Sequence, residues 1–121
     1  MSNSADIIDS SVIQGLVDLS GGDEQFLAEL VDTYLTESPV LLERLREAVH
    51  NSNSDGVRLN AHSLKGSSAE FGASYLVELC RQMEYVGRDR DLELAPELLG
   101  EIDQEYGRVA YALPRVLHLV D

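Results

Sequence analysis

The sequence predicts an all-α fold, an antiparallel four-helix bundle with an additional short N-terminal helix. Three observations predict it. Apolar residues recur at three- and four-residue spacing almost throughout, the period of a helix with one buried face. Strand-like alternation is absent, and the 121 residues include only five Tyr, two Phe and no Trp. The segments between apolar stripes are short and rich in Gly, Ser and Asn, so consecutive helices must pack as antiparallel neighbours. A hydrophobic share of 44% suffices for one core and is too high for a disordered chain. One domain over 1–121 is expected, with 1–6 a flexible N-terminus and Met1 suggesting a self-contained chain.

The first, accessory helix is expected over Asp9–Leu19, where Val12, Ile13, Leu16 and Val17 form a stripe that ends at Ser20-Gly21-Gly22. Asp23 is a good N-cap for the next helix, which should bury Phe26, Leu27, Leu30, Val31 and Tyr34. Ser38-Pro39 breaks or kinks it, Pro39 suiting a first helical position, and Leu41, Leu42, Leu45, Ala48 and Val49 continue the stripe. The pattern fits one kinked helix or two. After the Asn51-Ser52-Asn53 loop, Ser54 or Asp55 should cap a helix ending near Phe71, with Gly72 its left-handed stop. Ser74 should cap the following helix, its stripe Leu76, Leu79, Cys80, Met83 and Val86 closed by Gly87. The last helix should run from about Leu94 to Leu119 on Leu98, Leu99, Ile102, Tyr106, Val109, Leu113 and Val116, with Pro96 in its first turn and Pro114 kinking its end.

Charge narrows the function. Nine Lys+Arg against 22 Asp+Glu give a net charge of -13. Such a chain is no bulk nucleic-acid binder, because phosphate backbones require clustered cations, and an anionic membrane surface would repel it. No apolar run approaches the roughly 20 residues of a membrane span. The single Cys80 has no disulfide partner in the chain, so a reducing cytoplasm is expected. The acidity is uneven: residues 58–90 hold five basic and four acidic side chains, the rest four and eighteen. The near-neutral part contains the only lysine, Lys65.

One segment breaks the local rules. Asn60–Phe71 reads N-A-H-S-L-K-G-S-S-A-E-F. It must be helical, yet Gly66 lies in its interior, where glycine costs about 1 kcal/mol relative to alanine. With Ser67, Ser68 and Ala69 it makes four small residues in a row. They serve either close approach of a neighbouring helix or cleared space beside a side chain reached from outside. That side chain would be His62, one turn earlier on the same face. If Gly72-Ala73 turns a helical hairpin, Gly66 faces Cys80 and His62 faces Glu84. Lys65 then lies on an adjoining face and Arg58 on the other side. A neutral imidazole is nucleophilic near pH 7, a carboxylate on one ring nitrogen fixes the tautomer, and a lysine meets the charge of a phosphoryl group. The chemistry that fits is phosphoryl transfer through His62.

The run A-H-S-L-K-G-S-S, then F-G-A, then L-V-E-L-C-R-Q-M-E, resembles the histidine-containing phosphotransfer (HPt) domains of phosphorelay signalling, over Ala61–Glu84 in detail and more loosely over nearly the whole chain. The resemblance implies that His62 takes a phosphoryl group from a receiver-domain aspartate and passes it to another. Lys65 is then the lysine beside the phosphoryl group, Gly66 keeps the site open, and Glu84 falls where an imidazole-orienting Glu or Gln stands. It implies a phosphocarrier and not an enzyme, with no cofactor of its own, Mg²⁺ belonging to the receiver. Response-regulator receivers, including those of hybrid histidine kinases, would dock over Gly66, Ser67 and Ala69, with Arg58, Lys65, Arg81 and Arg88 at the rim, on a monomer.

Blander readings compete. His62 alone would be an ordinary half-buried helix residue, Glu84 a surface partner of Arg81 or Arg88, and Cys80 core packing. A metal site of His62, Cys80 and Glu84 lacks paired-ligand spacing. Two other functions are a histidine-kinase dimerisation fragment, whose acidic residue after the histidine is here Ser63, and a receiver-binding bundle without phosphotransfer.

Overall fold

The computed structural model describes residues 7–120; the expected flexible segment 1–6 lies outside the described residues. The order is α1 (Ser10–Ser20), α2 (Glu24–His50), α3 (Ser54–Ala69), α4 (Ser74–Arg88) and α5 (Ala95–Val116), with no strand among the described residues. Helices α2 to α5 form the bundle through the pairs α2–α3, α3–α4, α4–α5 and α2–α5, while α1 touches α2. The stripes meet in one core of Leu27, Val31, Leu45, Val57, Leu64, Phe71, Leu76, Met83, Ile102 and Val109, among others. No helix is long and apolar enough to cross a membrane.

Several local expectations are corrected. Of the two readings left open for the second segment, the structure has one helix with Pro39 in its interior. Pro39 is exposed, so the Leu35 carbonyl that loses its donor is on a side where water can serve it. Phe26 is 43% exposed: it belongs to the first turn, where Asp23 accepts from its backbone N at 3.1 Å. The cap of α3 is Asn53, accepting from Gly56 N at 3.0 Å, and not Ser54 or Asp55. Ser74 does not cap α4; Ala73 stands at the N-cap with no side-chain bond. Gly87 lies inside α4 and is buried. The last helix ends at Val116, just past Pro114.

The turn that aligns α3 with α4 is built as expected around Gly72, at φ 72°. Its carbonyl accepts from Asp9 N at 2.8 Å, and a β-carbon there would lie 2.9 Å from Val12 Cβ. The N-terminal segment therefore pins the end of the hairpin that carries His62.

Candidate functional site

Alternation of faces places the site. On α3, Val57, Ala61, Leu64 and Ser68 are buried, which turns Leu59, His62, Gly66 and Ala69 outward. The His62 side chain is 64% exposed. On α4, Cys80 and Met83 enter the core and leave Glu84 at the seam with α3. His62 Nδ1 lies 3.0 Å from Glu84 Oε2, the pairing expected from the hairpin register. Lys65 Nζ lies 2.6 Å from Glu84 Oε1. This second contact joins an ammonium to a buried carboxylate oxygen.

The Lys65 ammonium holds the Glu84 carboxyl below its usual range; partial burial works against this, and the bond to His62 adds to it. An ionised carboxylate only accepts hydrogen bonds. Nδ1 therefore donates, and Nε2, at the far end of the ring, keeps its lone pair. The arrangement is an exposed imidazole with a fixed tautomer, a free nucleophilic nitrogen and a cation one turn away.

Residues 29–112 match the family model for the Hpt domain. The chain belongs to the Hpt domain family. It is similar to the phosphorelay intermediate protein rdeA of Dictyostelium discoideum, at 28% identity over 95 residues, which are 75% of this chain and 37% of that one. The chain thus spans little more than a third of that relative's length. Among solved structures it is similar to histidine-containing phosphotransfer protein B (HptB) of Pseudomonas aeruginosa PAO1, with a TM-score of 0.86 at 26% identity over 97% of this chain and 99% of that one. The fold is also that of the maize histidine-containing phosphotransfer protein ZmHP2, with a TM-score of 0.81 at 22% identity over 97% and 87% of the two chains.

In this Hpt domain the small-residue run divides between two faces. A β-carbon at Gly66 would meet nothing within 4 Å, so Gly66 does not pack on Cys80 and belongs to cleared surface. Close helix approach occurs at Gly87, where a β-carbon would lie 2.6 Å from Arg58 N and 2.8 Å from Ser54 O. Ser68 is buried, its Oγ 2.7 Å from the Tyr34 hydroxyl. Ser67 is half-buried, its hydroxyl donating to the Leu64 carbonyl at 3.2 Å. Ala69 is exposed and lines a shallow cleft with Val12, Val77 and Arg81.

The basic residues are mostly engaged. Arg81 pairs with Glu78. Arg88 pairs with Asp89 at 3.4 Å and covers the Tyr85 ring at 4.5 Å. Arg58 is half-buried and forms no ion pair among the described residues. Cys80 is fully buried, and burial pushes its thiol up to about 12. It is a core residue, so His62, Cys80 and Glu84 do not gather around a metal. Among the described residues no group of three or more His, Cys, Asp or Glu does so.

Sequence reasoning missed two parts of the surface. Leu59 is 53% exposed one turn before His62; its spacing from His62 was the available signal. A groove of about 520 Å³ between α2 and α3 is lined by Thr36, Val40, Leu41, Arg44, Ser63 and Ser67, among others. The apolar stripe of α2 hid it, because Leu41 read as core, while it is only half-buried and lines the groove beside Val40, which is 48% exposed.

Proposed function

We propose that the chain is a phosphorelay intermediate. His62 Nε2 attacks the phosphorus of a receiver-domain aspartyl phosphate in line; the bond from phosphorus to the aspartyl oxygen breaks, and its electron pair stays on the receiver carboxylate. The reverse exchange delivers the group to a second receiver. The chain is a phosphocarrier with no cofactor of its own, and the Mg²⁺ of the reaction sits among the receiver's carboxylates. The observation that carries the reading is the exposed His62 ring, held at Nδ1 by Glu84 with Lys65 beside it, on the Hpt fold.

The receiver docks over Leu59, Gly66 and Ala69 and reaches the α2–α3 groove, where exposed apolar and small residues adjoin His62. Arg58, Arg81 and Arg88 border this surface, with Ser67 in the groove wall. Because α2 to α5 form a four-helix bundle within one chain, a monomer suffices and no dimer is needed to complete it. The net charge of -13 supports protein partners over nucleic acid, and the unpaired Cys80 thiol supports a reducing, cytoplasmic setting.

Incubation with a phosphorylated receiver tests this. Wild type should acquire an acid-labile, base-stable phosphoryl label, and His62→Gln should acquire none. Equal labelling of His62→Gln would overturn the assignment.

A further inference from the structure

Lys65 is not free to meet a phosphoryl group in this structure. It is one-quarter exposed and in contact with Glu84, the same carboxylate that holds His62. Glu84 thus serves an ammonium and an imidazole N–H at once, and neither has its full charge. We infer that Lys65 and Glu84 exchange partners on phosphorylation: Lys65 leaves Glu84 Oε1 for the phosphoryl oxygens, and Glu84 turns its whole charge on the His62 ring. The inference rests on His62 being the phosphoacceptor.

The exchange follows from charge. When Nε2 takes the phosphoryl group, the hydrogen on Nδ1 stays, so the ring becomes a phosphoimidazolium with one positive charge. It sits against Glu84, and a group of two negative charges has arrived within reach of Lys65. The free state holds one opposite-charge contact, Lys65 with Glu84; the phosphorylated state holds two, Lys65 with phosphoryl and Glu84 with imidazolium. The first contact is suited to exchange, because the Lys65 ammonium is one-quarter exposed and sits on a flexible four-carbon stem with rotatable donors.

The exchange sets donor strength. For onward transfer the P–Nε2 bond breaks and its electron pair returns to Nε2. With Nδ1 protonated the leaving group is neutral imidazole; without that proton it is imidazolate, a far poorer one. By stabilising the Nδ1 proton, Glu84 keeps the group transferable to higher pH. Glu84 is a positioning residue, acting through the ring and not on phosphorus.

Few other charges face this cluster. Cys80 on α4 is a neutral thiol. Arg81 and Arg88, one turn to either side of Glu84, are held by Glu78 and Asp89. Arg58 precedes His62 on α3, and α2 offers Glu37 and Arg44 across the groove. No α5 group perturbs Glu84, and the buried Glu105 of α5 is held by Arg108 at 3.0 Å.

The test is an NMR titration of the His62 ring in wild type, Glu84→Gln, Lys65→Met and the double variant, before and after phosphorylation with phosphoramidate. Before phosphorylation, Lys65→Met should raise the midpoint by about one pH unit, since Glu84 then faces the ring alone, and Glu84→Gln should lower it by a similar amount, as expected for one opposite charge a few ångströms away. The effect of Lys65→Met should shrink when Glu84 is already Gln, leaving only the direct repulsion between the ammonium and the ring. After phosphorylation, Glu84→Gln should still lower the Nδ1 midpoint by about one pH unit, and the pH above which phosphoryl loss slows should fall with it. The dependence of the Lys65 effect on Glu84 should now be lost. If that dependence is the same in both states, or Glu84→Gln moves neither midpoint, the exchange is wrong. If wild type takes no phosphoryl group on His62, the phosphoacceptor reading fails instead, and the unphosphorylated titrations still decide whether Lys65 competes for Glu84.

Discussion

Adding one methyl group at each of two glycines should move stability in opposite directions. At Gly66 a β-carbon meets nothing within 4 Å. Gly66→Ala therefore gains helix propensity without a clash, a stabilisation of about 1 kcal/mol in a helix interior, or roughly 3 °C in Tm for a domain of this size. At Gly87 the same atom would lie 2.6 Å from Arg58 N, 2.8 Å from Ser54 O and 3.0 Å from Arg58 Cα. All three are backbone atoms, so no rotamer change relieves the contact, and α3 and α4 must separate. Overpacking of this kind costs about 1–3 kcal/mol. Gly87 is one residue from the end of α4, so little propensity gain offsets it. Gly87→Ala should lose about 1–3 kcal/mol net, about 3–9 °C on the same scale. Urea denaturation followed by circular dichroism measures both. The outcomes should also separate in function. Gly66→Ala, more stable, should accept phosphate from a receiver about tenfold more slowly, because the methyl stands on cleared surface one turn from His62 and a misfit of about 1.4 kcal/mol is tenfold. A stable, fully active Gly87→Ala would refute the assignment of close packing. A Gly66→Ala protein that transfers at the wild-type rate would refute the role of the open surface.

Two further outcomes follow from the interior. Tyr34→Phe leaves the Ser68 hydroxyl, fully buried and 2.7 Å from the Tyr34 oxygen, without that partner; the loss should be about 1–2 kcal/mol, part of it recovered in the double variant with Ser68→Ala. Cys80 should resist a thiol reagent at pH 8 in the folded protein, since burial pushes its thiol up to about 12, and should react at once in denaturant. Rapid labelling of the folded chain would contradict its placement in the core.

The helices are legible in the sequence because amphipathic periodicity is a local property. Val57, Ala61 and Leu64 alone decide which side of α3 is buried, and hence that His62 faces outward. The pairing of His62 with Glu84 is legible too, because one sharp turn at Gly72 leaves little freedom of register. What fails is whatever depends on atoms from elsewhere in the fold. Gly66 and Gly87 have the same local cost, and only the neighbouring backbone shows which one lets two helices meet. Asn53, Ser54 and Asp55 are all competent caps, and a shift of one residue in helix start decides among them. Pro39 leaves a break and a kink both open because its lost hydrogen bond is visible in sequence, whereas its exposure is not. Phe26 reads as core by residue type, yet its place in the first turn of α2 leaves it partly in solvent.

The charge pattern gives a further step. The near-neutral segment 58–90 reads as a basic rim awaiting an acidic partner, but the fold spends most of those cations on carboxylates of the chain itself. Lys65 is on Glu84, Arg81 on Glu78, Arg88 on Asp89, and Arg90 on Asp55 at 3.2 Å. The three arginine pairs are exposed, with side-chain accessibilities of 44–67%, and pairs of that kind are worth about 0–1 kcal/mol. Exchanging them for a partner's carboxylates costs little, so they add selectivity and encounter rate more than affinity. On the proposed docking surface, affinity would then come from burying Leu59, Val40 and the small residues around Gly66. Raising salt should slow association of a receiver while leaving its dissociation nearly unchanged, whereas Leu59→Ala should speed dissociation. Were salt instead to act mainly on dissociation, the rim arginines would have to be reassigned from steering to holding the partner.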